Sequence, residues 1–412
     1  TDDWSVMVLS APRVLFVSTN FPSRQDANVG SYNLSQIRGL RELGFTFEVV
    51  APRPWFPLLR SRHSPREAAP VETEEVDGLP VHHPRVLYLP LSRGPANGWL
   101  YAWSIRRPLQ GLIRARPPHF LWTSFAFPDA VGVGRIARAA GLPHVVSVVG
   151  SDLNANLDRP GRLRSIRHAL RNARLVLPKS RALGRSLVEL GIPPDRLVQT
   201  YNGVDRIRFR PRPRREACNR LSISAQPRRI LFVGALVPVK NVSVLIEAFD
   251  RLLKTTAARR PELVILGDGY LRTRLEREVA ARELDAHVRF EGERSHDEVA
   301  RWMAASDLLC LPSRAEGVPN VILEAFASGR PVVASAVGGI PEIHPGESGG
   351  GLVPAGDEGA LAEALGDALD RRWDPERLAE LVADFTWENN ARTLRDRFAE
   401  AGLLDPTGPG PD

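Results

Sequence analysis

The sequence predicts an α/β chain built from two doubly wound parallel sheets, and three observations carry that prediction. Short apolar runs of strand length alternate with helix-period segments along most of the chain. The opening run ProArgValLeuPheValSerThr (12–19) returns as ArgArgIleLeuPheValGlyAla (228–235), so the pattern is an internal repeat. Finally, 412 residues exceed what one hydrophobic core normally organises. A composition of 43% hydrophobic and 25% charged residues is that of a globular protein and excludes a fibrous or disordered chain.

The elements follow in order. Residues 13–19 read as a strand, a polar loop leads to Gly30, and Leu34, Ile37, Leu40 and Leu43 mark a helix that Gly44 stops. Residues 45–51 are the next strand, completing a βαβ unit. The runs 144–149 and 174–178 are continuously apolar, as strands buried on both faces of a parallel sheet must be. After the repeat at 228–235, helices around 241–254, 271–283 and 296–305 alternate with strands at 262–267, 288–292 and 308–312; a helix from Pro319 and a strand at 331–334 follow. Regular βα alternation of this kind specifies two Rossmann-like sheets. The Pro- and Arg-rich stretch 207–227 is the expected linker between them.

Charge is uneven. Residues 1–210 carry 29 Lys+Arg against 16 Asp+Glu, whereas 211–412 carry 26 against 32. A cationic first half suits an anionic partner, although a coding bias toward arginine gives the same count. The run 159–185 holds nine Lys/Arg and no acid, with Leu163, Ile166 and Leu170 at helical spacing. It reads either as a surface for anionic membrane or as a solvated basic face over a core stripe. No nucleic-acid recognition motif accompanies it, so nucleic acid is not an expected partner. No run reaches the roughly 18 to 20 apolar residues of a membrane span, and the N-terminus lacks a basic region followed by an apolar stretch. The expectation is a cytoplasmic protein, peripheral at the inner membrane face. Cys218 and Cys310 lie far apart, and packing is the expected role of Cys310, which sits inside LeuLeuCysLeuPro.

The most specific local signal is GluGlyValProAsnValIleLeuGlu (316–324), placed after a strand and opening a helix. Pro319 suits a first helical turn and Gly329 a C-terminal cap. Free backbone N–H groups near 319–321 would then face an anion such as a diphosphate, which the helix dipole favours. At ~1.5 Å of rise per residue, Glu316 and Glu324 stand roughly 10 Å apart along the chain path, a spacing for two ends of one ligand.

This pattern resembles the Glu-x7-Glu motif of the retaining glycosyltransferases of family 4, which have the GT-B fold: two Rossmann-like domains facing across a cleft. The resemblance implies that Glu316 contacts the transferred sugar and Glu324 the ribose hydroxyls of a nucleotide sugar. The surrounding run 311–334 resembles the family throughout, so Gly317, Val318, Pro319, Asn320 and Val321 are implied donor contacts. PheValGlyAlaLeuValProValLysAsn (232–241) is similar to the segment that carries a phosphate-binding lysine, here Lys240, with Gly234 beside it; Ala235 stands where the family often has Arg. LeuGlyAspGlyTyr (266–270), with Gly267, and ValArgPheGluGly (288–292) match strands lining the nucleotide site, the base being expected near Glu293 and Arg294. ValGlyGlyIleProGlu (337–342), TyrAsnGlyValAsp (201–205) and PheThrTrpGluAsn (385–389) match further family segments.

The first half resembles the family more loosely. Gly30 matches a glycine loop that approaches the donor, and ValGlySerAspLeuAsn (149–154) matches a stretch where many members begin with His; here Val149 replaces it, and Asp152 is a catalytic candidate beside Glu316 and Lys240. The implied domains are an acceptor-binding domain over 1–206, with a C-terminal helix about 386–403 packing back on it, a nucleotide-sugar domain over 207–385, and a disordered tail at 404–412. The implied activity is metal-independent transfer of a hexose from a nucleoside-diphosphate sugar to a glycan or lipid-linked acceptor in envelope or exopolysaccharide synthesis. No cofactor is expected besides that substrate, and the sequence has no Asp-x-Asp and no His cluster with ligand spacing. A nucleotide-sugar epimerase on the same scaffold and an inactive nucleotide-sugar-binding protein stay open as alternatives.

Overall fold

The computed structural model describes residues 11–55, 73–89, 94–255 and 261–404, so the first residues and the Pro/Gly-rich stretch 405–412 lie outside it. The chain divides into two compact units: the residues up to Lys179 with Gly184–Thr200 and those from Asn390 on form unit 1, and Ser180–Leu183 with Tyr201–Asn389 form unit 2.

Unit 1 contains β1 (Arg13–Val17), β2 (Thr46–Val50), β3 (Arg53–Trp55), β4 (Thr73–Val76), β5 (Leu79–His82), β6 (Arg85–Leu87), β7 (Phe120–Ser124), β8 (His144–Val148) and β9 (Leu175–Pro178). Seven of these form one sheet in the order β4-β5-β2-β1-β7-β8-β9; β3 and β6 pair separately. All pairs in the large sheet are parallel except the β4–β5 hairpin. The central strands β1, β7 and β8 are buried at every position, which is why they read as unbroken apolar runs. One sheet face packs Ile37 and Leu40 of the helix Ser31–Glu42 together with Leu394 and Phe398 of the last helix, Trp387–Glu400. Phe398 sits edge-on to Trp122, 5.6 Å between centroids. The other face packs Tyr101, Ile105 and Leu109 of the helix Ala96–Ala115 with Val133 and Ile136 of Val131–Ala139.

Unit 2 contains β10 (Arg229–Val233), β11 (Glu262–Leu266), β12 (Val288–Gly292), β13 (Leu308–Leu311), β14 (Val332–Ser335) and β15 (Gly350–Val353), all parallel in the order β12-β11-β10-β13-β14-β15. The order reverses between β10 and β13, and the crevice outside the carboxyl ends of such a pair is where open α/β sheets bind ligands.

The stretch 207–227 is not a linker. Phe209, Ala217 and Cys218 are buried, and the helix Arg214–Arg220 belongs to unit 2. Its arginines are consumed locally: Arg214 donates to the carbonyls of Ala225 and Pro227 and pairs with Asp307 at 3.0 Å. Both cysteines are buried and free, and burial pushes the Cys310 thiol far up. The main segment of unit 2 runs from Tyr201 to Asn389, a few residues outside the 207–385 read from sequence.

Candidate donor site at the strand-order reversal of unit 2

Two loops at the reversal bring the sequence-predicted residues together. After β10 the chain passes Gly234 and makes a short 3₁₀ turn, Pro238–Lys240. After β13 it runs through Ser313 and Glu316 into the helix Asn320–Ala327. The loops are tied to each other by Arg314 N donating to the Val239 carbonyl at 2.8 Å and Arg314 Nε to Asn241 Oδ1 at 3.2 Å.

At their junction, Lys240 Nζ donates to Glu316 Oε1 at 2.5 Å and Ser313 Oγ donates to the same oxygen at 2.6 Å. Glu316 Oε2 has no partner among the described residues. Lys240 and Glu316 are partly buried, with 21% and 11% of their side chains exposed, so each charge is only partly screened by water.

The helix begins one residue later than the sequence suggested. Pro319 is its N-cap in extended conformation, and no side chain caps it. Pro319 has no N–H, so the free donors of this terminus are those of Asn320 and Val321, which have no acceptor among the described residues. Asn320 is held by Asn202, whose Nδ2 donates to Asn320 Oδ1 at 2.9 Å. Gly329, φ 70°, ends the helix where a C-terminal glycine belongs.

The carboxyl of half-buried Glu324, one turn inside the helix, has no hydrogen-bond partner among the described residues. Burial pushes its carboxyl up to about 7; the nearby Arg208 opposes that shift and Asp205 adds to it. A polar group left this way costs free energy unless a ligand completes it.

Backbone packing fixes the loops. Gly338 has φ 55°, and a Cβ there would stand 1.9 Å from the Glu316 carbonyl oxygen; one at Gly267, φ 131°, would stand 2.0 Å from that of Gly234. Only glycine fits either contact. The Gly317 carbonyl accepts from Gly339 N at 2.9 Å, and Val318 is buried below it. Arg294 pairs with Glu291 at 2.8 Å after β12.

Gly30 and Asp152 belong to unit 1. Gly30 precedes the helix Ser31–Glu42, where Asn33 Nδ2 donates to the adjacent Asn20 carbonyl at 2.7 Å. The Asp152 carboxylate is buried and accepts four backbone N–H groups: Ala126 at 2.6 Å, Gly150 at 2.9 Å, Leu153 at 3.0 Å and Val149 at 3.2 Å. Burial nonetheless raises its carboxyl above the usual range. Its oxygens are thus engaged in shaping the loop after β8.

The sequence reading passed over Ser313, Asn202 and Glu342. Glu342 accepts Arg181 N and Ala182 N, each at 2.7 Å, and Tyr201 Oη at 2.9 Å; it is the last residue of the quoted ValGlyGlyIleProGlu. Asp129 was also missed. It is buried beside β1 and β7, accepts Thr19 N at 2.8 Å, and burial pushes it up to about 7. A cavity of about 1540 Å³ opens in unit 1 at the amino ends of β7, β8 and β9, and its lining includes none of these residues.

Two family profiles cover most of both units: "Glycosyl transferase 4-like domain" over residues 29–203 and "Glycosyl transferases group 1" over residues 227–371. The chain belongs to the group 1, GT4-like glycosyltransferases. This glycosyltransferase is similar to TuaC of Bacillus subtilis, named for teichuronic acid biosynthesis, at 25% identity over 94% of this chain and 98% of the relative. It is 31% identical to a D-inositol 3-phosphate glycosyltransferase of Nocardioides over 65% of each chain. Sucrose-phosphate synthase of Thermosynechococcus elongatus matches its structure with a TM-score of 0.77 at 19% identity, covering 96% of this chain and 100% of that one. HepE of Anabaena in complex with UDP-glucose matches with a TM-score of 0.69 at 19% identity, covering 94% and 99%. At such identities the structural likeness is one of fold, the GT-B fold.

Proposed function

We propose that this glycosyltransferase is retaining and metal-independent, and moves a hexose from a nucleoside-diphosphate sugar to a glycan or lipid-linked acceptor in envelope or exopolysaccharide synthesis. The observation that carries the reading is the pairing of Lys240 with Glu316 beside an uncapped helix terminus at the strand-order reversal. A departing diphosphate gains negative charge, and Lys240 with the N–H groups of Asn320 and Val321 offers fixed positive charge there without a metal. Glu316, steadied by Ser313, faces the sugar, and Glu324 accepts the ribose hydroxyls. Gly234, Gly267 and Arg294 complete the donor site within unit 2. Among the described residues no carboxylate is set as a nucleophile, so the leaving phosphate takes the acceptor proton on the same face.

Asp152 positions the loop after β8 and does not exchange a proton. TuaC's name supports an envelope polymer, and HepE's UDP-glucose complex makes UDP-glucose the first donor to try.

Thermal shift with UDP, GDP and ADP tests the donor class: one nucleoside diphosphate is expected to raise Tm, as ligand linkage requires. NMR of the product anomer then tests retention. If none of the three nucleotides shifts Tm, or if the product anomer is inverted, the reading fails.

A further inference from the structure

Unit 1 carries an outer face that the donor site does not use. The helix Ala96–Ala115 buries Tyr101, Ile105 and Leu109 against the sheet. Its opposite side presents Trp99, Trp103, Arg106, Arg107 and Arg114, at the spacing of one helical stripe. Trp99 is 58% exposed and Trp103 74% exposed. Indoles of that size ordinarily bury, and two of them side by side on one surface mark a contact.

The surroundings of the indoles are cationic. The Arg135 guanidinium lies over the Trp99 ring, 3.5 Å from its centroid, and comes from the neighbouring helix Val131–Ala139. The next helix, Pro160–Arg171, is tied to the start of the tryptophan helix by Arg162 Nε donating to the Gly94 carbonyl at 3.1 Å. It turns Ile166 and Leu170 inward and exposes Arg164, Arg167 and Arg171. Between residues 94 and 185 stand fifteen Lys/Arg and only three acids. Two of those, Asp129 and Asp152, are buried, which leaves Asp158 as the exposed one.

We infer that this face, centred on Trp99 and Trp103, docks on an anionic lipid bilayer. Tryptophan favours the headgroup level, and arginine beside it is drawn to anionic headgroups over a Debye length. A helix with indoles and guanidiniums along one side lies in the plane of that interface. Duplex nucleic acid would satisfy the arginines but offers no apolar layer to two protruding indoles. The basic run 159–185 thus divides: Ile166 and Leu170 serve the core, and the exposed arginines widen the charged rim around the indoles. The inference goes beyond the transferase reading and does not depend on it, because docking requires no donor.

Sedimentation of the full chain with vesicles tests it, using phosphatidylglycerol–phosphatidylcholine vesicles, pure phosphatidylcholine vesicles and a duplex DNA competitor. The wild-type chain should pellet with anionic vesicles at about 0.1 M salt and be released at about 1 M. Arg106→Gln with Arg107→Gln should weaken partitioning by about twenty-fold. Trp99→Ser with Trp103→Ser should weaken it by about ten-fold or more. Unchanged Tm in both double variants shows that folding is intact, since all four side chains are exposed. The inference is overturned by wild-type chain staying in the supernatant, by variants that pellet like wild type, by equal binding to pure phosphatidylcholine, or by duplex DNA binding through the same residues in preference to vesicles. Sugar transfer that proceeds without vesicle binding would sink the docking face alone and leave the donor site standing.

Discussion

The loop after β13 in unit 2 and the loop after β8 in unit 1 have the same plan. Each leaves the carboxyl end of a buried parallel strand, carries an acid within a few residues, and opens a helix. Yet the acids differ. Asp152 is buried and accepts four backbone N–H groups, whereas Glu316 shares one oxygen between Lys240 and Ser313 and keeps the other unpartnered among the described residues. A carboxylate saturated by its own backbone shapes a loop; one held by side chains through a single oxygen has the other to offer a substrate. The comparison teaches that position after a strand does not assign a role, and the set of partners does.

The comparison breaks most sharply on Glu316→Gln. Its kcat should fall about 10³-fold, as for loss of a charged group that acts in the transition state, with Tm nearly unchanged. Steady-state kinetics beside a thermal melt read both. Gly338→Ala should come next, because the added Cβ collides with the Glu316 carbonyl and the residue keeps a left-handed φ. A loss of about 3 kcal/mol and a comparable fall in turnover are expected, measured by urea unfolding and rate.

Asp152→Ala should show the opposite division. The N–H groups of Ala126, Val149 and Gly150 lose their acceptor while Leu153 N keeps the Gly150 carbonyl, so stability should fall by about 3 kcal/mol while the nucleoside-diphosphate Kd stays within about two-fold of wild type. Calorimetric titration together with unfolding separates the two effects.

The smallest effect is in pH. The Glu324 carboxyl titrates at about 7 instead of 4.5, so in the free protein it is mostly protonated below 7. In the proposed donor site a ribose hydroxyl donates to this carboxylate, so nucleotide affinity should rise about ten-fold between roughly pH 6 and 8. Stability of the ligand-free chain runs the other way: the raised pKa contributes fully below about 4.5 and is lost as pH rises through about 7. Glu324→Gln should flatten both profiles, and an unchanged affinity profile in that variant would remove Glu324 from nucleotide binding.

Much of unit 2 was legible in the sequence, because its inner strands β10, β11, β13 and β14 are almost wholly buried and read as continuous apolar runs. The helix 296–305 carries Ser295 and Glu298 as a full capping box, and its bounds match those observed. Unit 1 was less legible. The strand Thr73–Val76 is polar and half-exposed, so no apolar period reveals it. Its turn, Asp77–Gly78 with φ 56° and 68°, is an Asp-Gly hairpin signal that could have found it. The stretch 207–227 misled because proline and arginine read as a linker, while Arg214 in fact caps neighbouring carbonyls. At the site, the motif over 316–324 named the two acids, but the Lys240–Glu316–Ser313 cluster joins residues that only the fold brings together. The exposure of Trp99 and Trp103 was not legible, since sequence spacing alone does not say which side of a helix faces the sheet.

A crystal structure with a bound nucleoside diphosphate tests the central claim most directly. The diphosphate should lie within hydrogen-bond distance of Asn320 N, Val321 N and Lys240 Nζ, with the ribose on Glu324. A nucleotide seated anywhere else, with those groups untouched, would contradict the account.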